Sequence, residues 1–165
     1  MKLIFTKSNL PLSVLIRWAL NEPVSHFAVV FDSKFVIQSN LLGVQLNWLN
    51  TFKKHSEIVF SIEKDLTLEM EEQVYRSLLD NFDGRSYDWA AFFYFMWRAI
   101  LNKSLGVPIP SKSPYGSPLK FLCTEIYSAL PEWLFGKKID NLNIMSAYKV
   151  YKALTSSQES DPGIK

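Results

Sequence analysis

The apolar periodicity of the chain changes near Thr67, and this change restricts the folds that the sequence can adopt. Upstream, apolar residues form short runs separated by turn residues, which is typical of strands. Downstream, Met70, Val74, Leu78 and Phe82 follow one another in steps of four, which is typical of an amphipathic helix. Strands that cluster early and helices that cluster late predict an α+β fold, with an antiparallel β-sheet packed against helices.

The predicted elements cover most of the chain. Strands are predicted over residues 3–6, 26–31, 35–38, 43–46 and 57–63. Helices are predicted over residues 11–20, 67–82 and 87–101, over a segment that begins between 118 and 121 and ends at 130, and over 143–154. The segment 87–101 is apolar almost all round, which predicts deep burial. Residues 106–118 hold four prolines and two glycines and are predicted to form a long loop.

Length and composition favour one folded domain. The chain has 165 residues, of which 48% are apolar, and its net charge is only +2. That balance is typical of a globular chain and not of a disordered one. We predict a single domain over residues 1–154 and a flexible tail over residues 155–165. Lysine and arginine are scattered, so no nucleic-acid partner is expected.

The hydropathy pattern argues against a membrane span. The longest apolar run, residues 89–97, is shorter than the ~20 residues that cross a bilayer. The N-terminal residues lack the uninterrupted apolar stretch and cleavage site of a secretory signal. We therefore expect no transmembrane segment and a location in the cytoplasm or within a virus particle. Attachment to a membrane surface is disfavoured because Arg98 and Lys103 are the only basic residues near the aromatic run.

Cysteine and histidine are scarce in this chain, which has only Cys123, His26 and His55. A single cysteine excludes an internal disulfide framework and a Cys-rich zinc or iron–sulfur site. The chain supplies too few ligands for a metal centre, so neither a metal nor a cofactor is expected. The serine hydrolase motif G-x-S-x-G is absent. His55 follows two lysines and is predicted to be solvated.

Cys123 follows the long loop and lies close to a predicted helix start. Free N–H groups at a helix start stabilise a thiolate and, later, an oxyanion. A helix that begins instead at Ser117 and Pro118 places Cys123 more than a turn inside. Cys123 would then be a small buried apolar residue. The sequence leaves both helix starts open.

His26 begins a predicted strand, where an imidazole is rigidly held and can act as a general base toward a thiol. Gln38 lies twelve positions later, near the end of the next predicted strand. If the two strands pair through a turn at residues 32–34, the Gln38 amide oxygen approaches the imidazole and fixes its tautomer. The alternatives are a structural histidine and an ordinary polar residue at a strand end.

Four segments in this order resemble a known family. The sequence SHFAVV at 25–30 resembles the strand that carries the family's histidine, and VIQS at 36–39 resembles the next strand. The sequence GRSYDW at 84–89 resembles the start of a buried helix, and FLCTE at 121–125 resembles a Cys-Ser-Glu helix start. The segments are similar to those of circularly permuted NlpC-type papain-like cysteine hydrolases. In that YiiX-like branch, related to lecithin:retinol acyltransferase-like proteins, the histidine precedes the cysteine.

The resemblance covers about residues 1–150 and implies a permuted papain-like fold. It implies Cys123 as the nucleophile, His26 as the base and Gln38 as the residue that orients the histidine. Tyr87 is implied to line the substrate pocket. Gln38 stands where His or Glu is commoner, so it orients the ring without adding a charge. Thr124 stands where Ser is usual.

Together with the resemblance, these observations predict a cysteine hydrolase that acts through a thioester. The resemblance implies an amidase or peptidase that acts on cell-wall peptides or related amides. A lipid acyl hydrolase or acyltransferase at the same site is one alternative, so the expected partner is a peptide or an acyl-lipid substrate. A non-catalytic structural or binding protein of a larger assembly, such as a virus particle, is the other. A Cys123 sealed from solvent would favour the non-catalytic role, whereas an open cleft that holds both Cys123 and His26 would favour the enzyme.

Overall fold

A computed structural model of the protein describes residues 1–40, 42–82, 85–110, 114, 120–121, 123–136, 138–139, 142 and 145–156. The strands are β1 (Lys2–Lys7), β2 (His26–Phe31), β3 (Phe35–Asn40), β4 (Gly43–Trp48), β5 (Glu57–Glu63), β6 (Ser86–Tyr87) and β7 (Lys120–Phe121). The α-helices are α1 (Pro11–Leu20), α2 (Leu49–Lys53), α3 (Leu68–Phe82), α4 (Trp89–Leu105), α5 (Glu132–Phe135) and α6 (Ala147–Thr155). A 3-10 helix spans Cys123–Ala129.

The first five strands form one antiparallel sheet in the order β4-β3-β2-β1-β5. The predicted α+β class with an antiparallel sheet is therefore confirmed, and all five predicted strands form. The chain reverses between the paired residues Phe31 and Phe35. It does so because Asp32 and Ser33 both take positive φ angles, 46° and 51°. This turn brings Gln38 back along β2.

Alternate side chains of the sheet enter two different cores. On one face, Phe5 and Phe27 pack with residues of α3, α6 and the 3-10 helix. On the other face, Ile4 and Ala28 pack against α2, which contributes Phe52. Both faces are covered near β2, which explains why this strand is a continuous apolar run and not an alternating one.

Helices α1 and α4 pack on each other and form a third apolar cluster beside the sheet. Burial of α4 is one-sided, unlike the deep burial that its composition predicts. Phe92 and Met96 are buried, whereas Phe93 and Trp97 are each 60% exposed. The prediction of deep burial is wrong for the side of α4 that carries Phe93 and Trp97, because the neighbouring elements cover only the opposite side of the helix.

The region after the long loop differs most from the sequence prediction. Strand β7 pairs with β6 in parallel, and the 3-10 helix begins at Cys123. The prediction of a helix that begins between 118 and 121 is therefore wrong. Helix α6 begins at Ala147, later than the predicted residue 143, because the Ser146 hydroxyl caps it by accepting a hydrogen bond from the Lys149 N–H at 3.2 Å.

Parts of four predicted segments lie outside the described residues, namely 111–113 and 115–118 of the long loop, 119 and 122 of the helix that follows it, 143–144 of the last helix and 157–165 of the tail. Helix α6 continues through Thr155, one residue into the predicted tail. The single domain over 1–154 stays a prediction. In the part of the chain that the structure describes, no helix combines the length and the apolar character needed to cross a membrane.

Strand β6 is held against the sheet at Gly43, the first residue of β4. Gly43 has a φ of 105°, and a Cβ atom there would lie 2.7 Å from the carbonyl oxygen of Arg85. The Val44 N–H donates a hydrogen bond to the same oxygen at 3.2 Å. Only glycine permits this close approach of backbone to backbone. The contact positions Tyr87, at the end of β6, beside the cavity that His26 also lines.

Candidate active site

His26 and Gln38 form a hydrogen bond across the two strands that carry them. In the register of β2 and β3, Ala28 pairs with Gln38, so the Gln38 side chain is a diagonal neighbour of His26 on the same sheet face. The Nε2 atom of His26 lies 3.0 Å from the Oε1 atom of Gln38, so the predicted approach is confirmed. An amide oxygen only accepts, so Nε2 carries the proton and Nδ1 keeps its lone pair.

Cys123 and His26 line the same cavity, although they are almost a hundred residues apart in the sequence. The cavity has a volume of about 350 Å³, and its walls also include Gln38 and Tyr87. Cys123 is half-buried at the first turn of the 3-10 helix. The structure thus brings the four sequence-predicted site residues together in one open space, and their chemical roles stay predictions.

Burial controls the protonation of both groups. It lowers the pKa of His26 to about 4, against the smaller opposite effect of the hydrogen bond to Gln38. It raises the pKa of the Cys123 thiol to about 11, against the smaller lowering effects of the Phe27 and Thr124 backbone N–H groups. At neutral pH the site therefore holds a neutral imidazole and a protonated thiol, not an imidazolium–thiolate pair.

Tyr87 supplies a neutral hydroxyl to the cavity. Burial raises its pKa, and the negative charges of an ionised Cys123 and of Glu125 and Asp88 raise it further. The phenol therefore stays protonated across the physiological range and remains able to donate a hydrogen bond. Tyr87 is held from both sides, since β6 pairs with β7 and Asp88 caps α4 by accepting from the Ala91 N–H at 3.0 Å.

Several residues of the cavity carry no clear signal in the sequence. The hydroxyls of Ser13 and Ser25 lie 2.6 Å apart in its wall. The ring of Phe52 lies 6.4 Å from that of His26, measured between centroids. Ser25 directly precedes His26, which is the one hint available, whereas Ser13 and Phe52 come from α1 and α2 and reach the site only through packing. His55 is exposed, as predicted, and lies at the rim of the cavity.

The described residues contain no group of three or more His, Cys, Asp or Glu side chains arranged to hold a metal ion. The polar side chains at the candidate site are instead a thiol, an imidazole, an amide and hydroxyls. These groups can exchange protons and accept an acyl group.

Comparison with known proteins adds little to this geometry. No known protein family matches the chain, and no curated protein matches it either. Among solved structures, the chain is similar to the metalloprotein yiiX from Escherichia coli O157:H7, with 20% sequence identity and a TM-score of 0.48. The match covers 91% of this chain and 89% of yiiX. At that identity and TM-score the likeness supports neither a fold family nor an activity for this protein.

Proposed function

We propose that the protein is a cysteine hydrolase that cleaves amide bonds of a peptide substrate through a thioester on Cys123. The observation that carries this proposal is the 3.0 Å hydrogen bond from His26 Nε2 to Gln38 Oε1 inside the cavity that Cys123 lines. That bond directs the basic lone pair to Nδ1, the nitrogen that remains free to take a proton from a thiol. A structural histidine also needs a hydrogen-bond partner, so the presence of Cys123 in the wall of the same cavity is what favours a catalytic role.

Acylation follows from the neutral resting state. As the Cys123 Sγ attacks the substrate carbonyl carbon, its proton passes to His26 Nδ1, and the carbonyl π electrons move to oxygen. The Gln38 oxygen then faces an imidazolium, which it stabilises as a dipole without a full charge. When the tetrahedral intermediate collapses, His26 returns the proton to the leaving amine nitrogen. The carbon–nitrogen bond breaks and the thioester remains on Cys123.

Deacylation repeats these steps with water. His26 Nδ1 removes a proton from a water molecule while the water oxygen attacks the thioester carbonyl carbon. Collapse of the second intermediate breaks the carbon–sulfur bond, and the sulfur recovers its proton from His26. The carboxylic acid product leaves with the oxygen of water. The acylation step is the more demanding one, because the resting thiol with a pKa of about 11 must lose its proton to a weak base.

The cavity suits a peptide-sized substrate. Its volume of about 350 Å³ lies in the range of small-molecule sites. Hydroxyl and amide side chains such as Ser39, Asn40, Gln45 and Asn47 line it together with apolar side chains, which contribute most of its surface. The polar groups can pair with the N–H and C=O groups of a peptide, and the apolar surface can pack against its side chains. The order of His26 before Cys123 further supports the proposal of a permuted papain-like arrangement.

One observation favours a second candidate, a non-catalytic binding role at the same cavity. With the pKa of His26 lowered to about 4 and that of Cys123 raised to about 11, the pair is neutral at rest, whereas many thiol enzymes begin from a thiolate. In that role the protein would retain a peptide or an assembly partner without cleaving it. The two candidates differ in whether Cys123 becomes acylated.

The test is acylation by 4-nitrophenyl acetate, followed by release of 4-nitrophenol and by mass spectrometry of the digested protein. We expect an acetyl group on Cys123, and loss of that adduct in Cys123→Ser. His26→Ala should slow acylation at pH 7 by about a hundredfold or more. Gln73→Ala, exposed on α3 and outside the cavity, is the control and should react like the wild type. Absence of an adduct on Cys123 would refute the hydrolase, and equal rates in wild type and His26→Ala would refute His26 as its base.

Hydrolysis itself is measured with a panel of fluorogenic peptide amides. Turnover that disappears in Cys123→Ala and persists in Gln73→Ala supports an amidase. An acetyl-enzyme that forms but never turns over with any amide would refute hydrolysis of peptides, although the thiol chemistry would stand.

A further inference from the structure

Cys123 borders a second, smaller cavity that His26 does not line. This cavity has a volume of about 40 Å³ and is lined mainly by apolar side chains of α1 and α4, among them Ile16, Leu20, Phe92 and Met96. Cys123 also lines it, whereas His26 and Gln38 do not. The thiol therefore lies between a large, mixed space that contains the base and a small, apolar one that does not.

The two cavities are neighbours. Ile16, Ser25, Tyr87 and Cys123 each line both of them. A group attached to Cys123 therefore has two adjacent spaces available. The small cavity is built from rigid elements, because Phe92 and Met96 are buried in the cluster that α1 and α4 share.

The geometry of acyl transfer assigns one substituent to each space. In the tetrahedral intermediate the former carbonyl carbon carries sulfur, an oxyanion, the leaving group and the acyl substituent, which point in four different directions. The leaving group must lie within reach of His26 to receive its proton, so it occupies the large cavity. The acyl substituent takes another direction, and the small cavity, which Cys123 lines and His26 does not, offers it a space.

Size and polarity define what the small cavity accepts. A water molecule occupies about 30 Å³ in the liquid, so a cavity of about 40 Å³ has room for one or two carbon atoms. Its apolar lining does not compensate a buried charge. It therefore suits a methyl or ethyl group better than a long hydrocarbon chain.

We infer that the small cavity is a specificity pocket for the acyl part of the substrate, which carries a small apolar substituent such as the methyl group of acetyl or of an alanine residue. The inference rests on the proposed function, since it concerns the acyl group that Cys123 accepts. It favours amides and esters of short acyl groups over long-chain acyl lipids at this site. Met96 and Phe92 are among the large apolar side chains that line the pocket.

The experiment compares acylation rates of Cys123 with 4-nitrophenyl acetate, propionate, butyrate and hexanoate. Each rate is divided by the rate of the same ester with N-acetylcysteine, which removes the intrinsic reactivity of the ester. We expect acetate and propionate to react at least about tenfold faster than hexanoate, since one methylene too many in a tight pocket costs about this factor. Equal corrected rates, or a preference for hexanoate, would overturn the inference while leaving the thiol chemistry in place.

A variant tests whether this cavity is the source of the preference. Met96→Ala enlarges the cavity, and we expect the corrected butyrate and hexanoate rates to rise at least about fivefold relative to acetate. Met70→Ala, in α3 and away from both cavities, is the matched control and should keep the wild-type profile. If Met96→Ala does not fold, Met96→Val serves, with a smaller shift. An unchanged profile in a folded Met96 variant would exclude this cavity as the pocket.

Failure of the proposed function gives a different result. If no ester acylates Cys123 faster than it acylates N-acetylcysteine, both the hydrolase and the specificity pocket are refuted together. A chain-length preference that is present in the wild type and lost in Met96→Ala supports both the hydrolase and the specificity pocket.

Discussion

The ring of His26 and the side chain of Gln38 are joined by a 3.0 Å hydrogen bond between residues that do not directly face each other in the sheet. Gln38 pairs with Ala28, two positions along β2 from His26. The long amide side chain spans this diagonal, which a shorter residue such as Asn does not. The register of two strands thereby decides which nitrogen of the imidazole carries the proton.

The first prediction concerns Gln38. In Gln38→Ala the imidazole loses its hydrogen-bond acceptor, and the imidazolium formed during acylation loses about 1.5–3 kcal/mol of stabilisation. We expect the rate of acylation by 4-nitrophenyl acetate to fall about tenfold to a hundredfold. Gln38→Glu is the matched variant. Its carboxylate should raise the pKa of His26 by about one to three units, and NMR of the ring protons measures that pKa. An unchanged acylation rate in Gln38→Ala would refute the positioning role.

The second prediction is a pH–rate profile. If His26 takes the thiol proton during attack, the reactive state needs only a neutral imidazole, which forms above a pKa of about 4. The acylation rate of the wild type should then rise up to about pH 5 and stay flat to pH 8. In His26→Ala only the free thiolate reacts, and its pKa near 11 predicts a tenfold increase per pH unit over the same range. A wild-type profile with that same slope would show that His26 gives no assistance.

The third prediction concerns stability in acid. His26 has a pKa of about 4 in the folded protein and 6.5 as its unperturbed value. Between these values the unfolded chain binds a proton that the folded protein does not, so the free energy of unfolding falls as the pH decreases from 6.5 to 4. The loss attributable to His26 is at most about 3–4 kcal/mol, and well above pH 6.5 it vanishes.

Urea denaturation of the wild type and His26→Asn at pH 4.5 and 7.5 measures this effect. The pH-dependent loss should be smaller in His26→Asn, because that side chain does not titrate. His55→Asn, at an exposed position, is the control and should retain the pH dependence of the wild type. Parallel losses in wild type and His26→Asn would contradict the prediction.

The fourth prediction concerns Gly43 and the placement of Tyr87. Gly43→Ala combines an unfavourable positive φ with a Cβ atom 2.7 Å from the Arg85 oxygen, and we expect a loss of at least about 2–3 kcal/mol in unfolding free energy. Gly106→Ala is the control, because its φ of 68° is also positive but no atom lies within 4 Å of the added Cβ. Its cost should be only about 1–2 kcal/mol. Equal losses of unfolding free energy in the two variants would mean that the close approach to the Arg85 oxygen adds nothing to the cost of the positive φ.

The sequence by itself determines the local structure near the start of the chain. Helix α1 begins at Pro11, where a fixed φ and a missing N–H suit the first helical turn. Strands β2 and β5 have the predicted ends because turn residues bound each apolar run. The approach of Gln38 to His26 also follows from the sequence, since a short turn between two strands sets their register.

Only the tertiary structure decides which side of an apolar helix is buried. Residues 87–101 are apolar almost all round, so composition gives no preferred face. Likewise Val14 and Trp18 share a face of α1 by their spacing, yet both are largely exposed, while Ser13 and Ala19 are buried. The buried stripe is set by where α1 and α4 meet, and contacts between distant segments leave no periodic trace in the sequence.

The tertiary structure likewise decides that Cys123 and His26 line one cavity. The sequence supplies both residues but leaves two possible starts for the helix near Cys123. The pairing of β7 with β6 settles it, because backbone engaged in a strand pair at 120–121 cannot also be helical. The protonation states of both groups likewise follow from burial, a property that exists only once the chain has folded.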